Sequence, residues 1–286
     1  MTKKVASRAN AISPFHVMDI LAQAKQLEAA GQNIIHMEVG EPDFDTPQPI
    51  IDAGMHALKQ GKTHYTPACG LPELREAIAG WYEEQYQVKV NAERIIVTPG
   101  ASGALLLVMG ALLEKQKQVL LADPGYPCNK HFARFVEGRV NSIPVDANNQ
   151  YQLTAQPIEQ YWDDNTAMAL VASPSNPTGT VLTQPDLKEL AAAVARKSGH
   201  LVVDEIYHGL TYDGFHAPTA LSVSDQVFVV NSFSKFFGMT GWRLGWLVVP
   251  EGYTEVMDKL AQNLFLAPTT MSQYAALAAF QSNTLA

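Results

Sequence analysis

From about residue 90 onward, short aliphatic and β-branched runs recur at intervals that only a few architectures can accommodate. They stand at 94–98 (RIIVT), 118–122 (QVLLA), 167–172 (AMALVA), 200–204 (HLVVD), 226–230 (QVFVV) and 245–249 (GWLVV). Most are separated by helix-like stretches such as ASGALLLVMGALLEKQ and QPDLKELAAAVARKSG. Continuous apolar strands are buried on both faces, and alternation with helices supplies the crossovers that cover those faces. The chain therefore reads as α/β, a mostly parallel sheet sandwiched by helices. At 286 residues, 47% hydrophobic and 17% charged, it has ample material for a large core.

Ahead of this rhythm, FHVMDILAQAKQLEAAG (15–31) has the pattern of an amphipathic helix stopped by Gly31. IIHMEVGEPDF follows as a short extended piece ending in a turn, and then come Pro42, Pro47 and Pro49. Because proline breaks both helix and ladder, this stretch is the candidate boundary between an N-terminal arm and the main domain. The net charge of -8 and pI near 5.5 argue against a nucleic-acid-binding surface. The first residues carry no apolar core of signal-peptide length, and the longest apolar run, 103–113, is too short to span a bilayer. Neither a membrane nor a nucleic-acid partner is expected, and a cytoplasmic location is the default. Cys69 and Cys128 form no CxxC pair and adjoin no histidine cluster, so both are expected as reduced thiols, with no disulfide framework and no metal site.

In parallel sheets, ligands gather beyond the carboxyl ends of the strands. There the sequence places PGASGA, DPGYP, SPSNPTG, DEIYHG and NSFSK, where polar and glycine residues concentrate. Gly100 permits close backbone approach, and a helix opening at Ala101 and Ser102 would aim free N–H groups and a positive dipole end at an anion. A plain serine cap with small packing residues explains that stretch equally well. Asp204 closes an apolar strand, where a half-buried carboxylate wants a cationic partner; a structural salt bridge is the simpler account of it alone. Tyr207 lies three residues on, and Asn176 sits in a proline-bounded turn. Lys235 is set among Phe233, Phe236 and Phe237, with Arg243 nearby and almost no carboxylate to pair with. An apolar setting and a neighbouring cation both favour the free amine, the nucleophilic form. Ser232, Ser234 and Arg243 supply donors suited to phosphate. Pyridoxal phosphate would use all of these at once: a lysine for its aldehyde, an acid at its ring nitrogen, donors at its phenolic oxygen and an anion site for its phosphate. Two other motifs fail on inspection. GASGA lacks the second glycine of a serine-hydrolase elbow, and QGKT (60–63) has His56 where a P-loop needs glycine.

The ordered motifs VGEPDF, YTPACGLPELREAI, PGASGA, DPGYP, SNPTG, DEIYHGL and SFSKFFGMTGWRLGW run over nearly the whole chain. Together they resemble the class I aminotransferases of the aspartate aminotransferase type, within the fold-type-I pyridoxal-phosphate enzymes. The resemblance implies a sheet of the seven-stranded type, with residues 1–45 as an arm and part of a small domain and 46–286 as the cofactor-binding large domain. It implies transamination between an amino acid and a 2-oxo acid through a Lys235 Schiff base, with Lys235, Asp204 and Tyr207 as catalytic residues. Asp204 would pair with the ring nitrogen, Asn176 and Tyr207 would bond the phenolic oxygen, and Tyr126 would stack on the ring. Gly100, Ala101, Ser102, Ser232, Ser234 and Arg243 would hold the phosphate. Tyr65 would reach the phosphate of a neighbouring subunit, which implies a homodimer with shared sites. Gly40 and Asn176 would lie near the substrate. Family members ordinarily continue into a C-terminal segment that completes the small domain and brings an arginine for the substrate carboxylate. An incomplete small domain and impaired catalysis are therefore expected of these 286 residues. A pyridoxal-phosphate-dependent carbon–sulfur lyase or other elimination enzyme would show the same core motifs. A non-catalytic ligand-binding sensor domain is the alternative from another class.

Overall fold

All six apolar runs become strands in a computed structural model that describes residues 4–281 and 284. In chain order the strands are β1 (Ile95–Thr98), β2 (Gln118–Asp123), β3 (Arg139–Pro144), β4 (Thr166–Ala172), β5 (His200–Asp204), β6 (Phe228–Ser232) and β7 (Gly245–Val248). They form one sheet in the order β1-β7-β6-β5-β4-β2-β3. β7 runs antiparallel to both of its neighbours, and the other four pairings are parallel. β3 went unread because RVNSIP is an edge strand: only Ile143 is fully inside, and its polar neighbours face water.

Side chains alternate across the sheet and separate into two cores. Ile95, Val97, Leu201, Val203, Val229, Trp246 and Val248 join one cluster, with Leu74, Ile78 and Tyr82 of the helix Pro72–Tyr86. Ile96, Val202, Phe228, Val230, Leu247 and Val249 join the other, against Leu105, Leu107 and Val108 of the helix Gly100–Leu112. This period of two places Asp204 on the face of Val202, and the next residue, Glu205, on the face of Val203.

The expected N-terminal helix spans His16–Ala29, where only Ala24 is buried, so it packs as an arm. A helical turn at Ser7–Asn10 precedes it without having been anticipated. The proline stretch starts a helix instead of merely interrupting the chain. Pro47 caps Gln48–Lys59 and Pro49 occupies its first turn, where a missing N–H costs nothing. Residues 33–43 join no sheet. The Thr46 hydroxyl donates to the Gly238 carbonyl at 2.6 Å and accepts from Trp242 Nε1 at 3.1 Å, so this strap lies against the loop that carries Lys235. Among the described residues no helix is long and apolar enough to cross a membrane.

Candidate functional site

The carboxyl ends of the parallel strands collect most of the singled-out residues at one edge. Asp204, the last residue of β5, is 6% exposed, and its carboxylate accepts one hydrogen bond, from the Ile206 N–H at 3.1 Å. It makes no ion pair among the described residues. Burial pushes its pKa up to about 6, against the lowering effect of the Ile206 bond. Its backbone is fixed on both sides, since the Ser173 N–H donates to the Asp204 carbonyl and the Glu205 N–H to the Val230 carbonyl.

After Asp204 the chain turns, with the His208 N–H donating to the Glu205 carbonyl at 2.9 Å, and this turn presents Tyr207. Asn176 Nδ2 donates to the Tyr207 oxygen at 3.1 Å, joining the loops after β4 and β5. Tyr207's own proton is thereby left to donate elsewhere. Burial raises the Tyr207 hydroxyl above its ordinary pKa; the Asn176 bond opposes this and Asp204 adds to it. Tyr126, in the loop after β2, is close enough to feel Asp204 and Tyr207, and its hydroxyl is pushed well up, chiefly by burial. Tyr126 and Asn176 also line a cavity of about 250 Å³ with Asn129 and Gln152.

Lys235 extends from the loop after β6. Its Nζ donates to the Gly40 carbonyl at 2.5 Å and lies 6.0 Å from the centre of the Tyr207 ring. Its pKa is lowered, first by burial; Glu41 works against the shift and Arg243 with it. The surroundings of this amine differ from those expected in two respects. Phe233 and Phe237 turn away into the core, against Trp246 and Phe280, so backbone and partial burial, more than a phenylalanine cage, desolvate the amine. The strap also brings a carboxylate, Glu41, which accepts a hydrogen bond from the Thr240 hydroxyl.

Gly100, Ala101 and Arg243, three of the residues expected to hold an anion, meet at one helix start. The helix Gly100–Leu112 begins after Pro99 with no side-chain cap, so the serine-cap account fails and its first N–H groups are unclaimed by side chains. Gly100, at φ +70°, lies so close to Arg243 that a Cβ there would sit 2.7 Å from Nη2. Gly245 permits the same intimacy from β7: a Cβ on it would come within 2.8 Å of both the Ala101 nitrogen and the Asn231 carbonyl oxygen. A guanidinium at the positive end of a helix is a pairing of like signs that an anion would resolve. Arg243 makes no ion pair among the described residues; its Nη1 donates to the Thr240 carbonyl at 2.9 Å. Ser232 and Ser234 are buried beside it, hydroxyl to hydroxyl at 2.9 Å, and Ser102 is exposed at the helix start. Tyr65 stands apart from this set within the single chain, 83% exposed.

With that geometry, comparison with known proteins is decisive. The family description "Aminotransferase class I and II" matches residues 32–285. The chain belongs to this aminotransferase family. It is 39% identical over 272 residues to a (5-formylfuran-3-yl)methyl phosphate transaminase of Methanocaldococcus jannaschii, covering 94% of this chain and 70% of that protein. It is 37% identical over 281 residues to a valine–pyruvate aminotransferase of Mycobacterium tuberculosis, covering 98% and 72%. Among solved structures, an aminotransferase from Mycobacterium tuberculosis superposes with a TM-score of 0.94 at 36% identity, over 99% of this chain and 73% of that one. Aspartate aminotransferase from Thermus thermophilus, solved with maleate, gives 0.92 at 32% identity, over 98% and 73%. The aminotransferase fold, a seven-stranded mostly parallel sheet between helices, is thus shared, and the enzyme is a pyridoxal-phosphate-dependent transferase of amino groups.

Sequence reasoning passed over one group in this aminotransferase. Glu205 is fully buried behind the site, beside His208 and the helix Pro72–Tyr86. The signal was available: two adjacent acids at a strand end must face opposite sides of the sheet, and only one of them can reach a ligand.

Proposed function

We propose that transamination between an amino acid and a 2-oxo acid takes place at this edge, with Lys235 as the amine that anchors the cofactor. The observation that carries this reading is Asp204, a buried carboxylate with a single backbone hydrogen bond and no cation among the described residues. It shares an edge with a lysine of lowered pKa and with a cationic cradle. These residues fit pyridoxal phosphate. Asp204 offers its charge to a ring nitrogen, and Arg243, Gly100, Ala101, Ser102, Ser232 and Ser234 offer donors to the phosphate. Asn176 and the free proton of Tyr207 serve the phenolic oxygen, and Tyr126 covers the ring. Bound there, the cofactor supplies an aldehyde that condenses with amines and a cationic ring that accepts the electron pair of a broken Cα–H bond.

The chain's own residues set the proton inventory. Burial makes the Asp204 charge costly unless a cation faces it, so the carboxylate favours a proton held at the ring nitrogen. The lowered pKa of Lys235 favours its neutral form over that of an ordinary lysine, which suits Nζ to take the substrate Cα proton and return it. The Gly40 carbonyl, now bonded to that amine, marks where the strap meets the substrate side. We assign 46–286 as the cofactor domain and 1–45 as an arm folded over its edge. We further propose a homodimer in which the exposed Tyr65 completes the anion site of the neighbouring subunit.

Addition of pyridoxal phosphate should give a violet absorbance band; borohydride should bleach it by reducing the imine and leave the cofactor fixed on the peptide containing Lys235. Lys235→Ala should lack both the band and turnover. Turnover by that variant, or modification of a different lysine, would overturn the assignment.

A further inference from the structure

The turn that carries Asp204 and Tyr207 has a second face. Behind the site, Glu205 Oε1 accepts from the Ala220 N–H at 2.7 Å and from the Thr219 hydroxyl at 3.0 Å, while Oε2 accepts from the same hydroxyl at 2.9 Å. Glu205 Oε2 lies 3.6 Å from His208 Nδ1, which in turn meets the Tyr86 hydroxyl at 2.8 Å. Glu205 thus ties the strand end to the 219–221 turn, and His208 ties the same bend to the helix Pro72–Tyr86. Asp204 lies directly before this pair, and Tyr207 between its members. A buried carboxyl with no lysine or arginine partner among the described residues is costly, and packing alone would be served better by an apolar side chain.

We propose that Glu205, acting through Thr219, Ala220 and His208, is a positioning residue that fixes where Asp204 and Tyr207 meet the cofactor ring. The inference rests on the cofactor reading above and deepens it. Proton placement supports it. Burial pushes Glu205 up to about 8 and His208 down to about 4, so the proton sits on Glu205 at neutral pH. A neutral Glu205 leaves its neighbour Asp204 free to ionise against a ring cation, whereas two adjacent buried carboxylates would repel. The titratable groups that face Glu205 are Asp204 on its strand, His208 on its turn, and Tyr82 and Tyr86 on the helix. Burial holds both tyrosines protonated, an effect that Glu205 reinforces when it ionises, and the 219–221 turn, β6 and β7 contribute no ionisable side chain. Above its pKa, Glu205 places a second negative charge behind Asp204, and this stabilises the cationic ring.

The test uses the protein reconstituted with pyridoxal phosphate. The violet band is titrated between roughly pH 6.5 and 9.5, spanning the Glu205 transition, and cofactor affinity is measured by fluorescence. Wild type should show an inflection near pH 8. Glu205→Gln keeps the acceptor oxygen without the charge, so it should bind cofactor within about threefold of wild type at pH 7 and lose the inflection. Glu205→Ala leaves the Thr219 hydroxyl and the Ala220 N–H unpaired and should weaken cofactor binding about tenfold or more. An inflection retained in Glu205→Gln, or undiminished affinity in Glu205→Ala, overturns the proposal while leaving the cofactor reading intact. Failure of the wild-type protein itself to develop the band overturns both.

Discussion

Replacing Asp204 with asparagine should stabilise the cofactor-free protein while damaging its function, and the size of the gain follows from the site. The carboxyl titrates near 6 in the fold, against an ordinary value of 3.8. Folding therefore raises its affinity for a proton. The stability it contributes is complete below the unfolded value and is lost as pH rises through 6. Above that point the ionised group opposes folding by about 2 pKa units at about 1.4 kcal/mol each, or about 3 kcal/mol. The Ile206 bond is already counted in that shift, because it favours the charged form. Asparagine keeps an oxygen for the Ile206 N–H and carries no charge. Urea unfolding of cofactor-free protein at about pH 7.5 should show Asp204→Asn more stable by about 3 kcal/mol, a difference that shrinks toward zero near pH 4. With pyridoxal phosphate present the order should reverse, because the ring nitrogen loses its counter-charge in the variant and wild type gains the larger binding energy. A cofactor-free variant no more stable than wild type at pH 7.5 would mean that another group already compensates the carboxylate, and the argument for an ion partner there would fail.

Two further substitutions separate the cradle from the scaffold. Gly100→Ala forces a Cβ onto the Arg243 guanidinium at a left-handed backbone position; it should cost about 1–2 kcal/mol in a thermal or urea melt and weaken cofactor binding about tenfold by fluorescence titration, and unchanged affinity would remove Arg243 from the phosphate site. Thr183 caps the helix Gln184–Arg196 in a reciprocal pair with Asp186, far from the chemistry. Thr183→Ala should lower stability by about 1 kcal/mol and leave the violet band and turnover untouched; a loss of activity beyond the loss of folded protein would contradict that separation.

Strands buried on both faces announce themselves by composition, which is why β1, β2, β4, β5, β6 and β7 were legible within a residue or two. β3 was not, because an edge strand needs apolar residues on one side only and RVNSIP reads like a loop. The site was legible where a residue type is rare in its setting, as with a lysine between aromatics or an aspartate ending an aliphatic strand. Direction was harder to read. Phe233 and Phe237 adjoin Lys235 in sequence, yet the bend sends them into the core, and Glu41 reaches the lysine loop from almost two hundred residues away. Glu205 drew no reading of its own; it is buried against Thr219 and Ala220, which nothing in the local pattern links to it.

The reversed direction of β7 has a mechanical consequence. Because that strand starts where its neighbours finish, the chain goes from Lys235 to Arg243 within one continuous bend, residues 233–244, and never traverses the sheet between them. The separation of Lys235 and Arg243 is therefore set by local loop length, whereas Asp204 is delivered by an independent strand. Lengthening or shortening the bend would detune amine against anion together, leaving the acid where it stands.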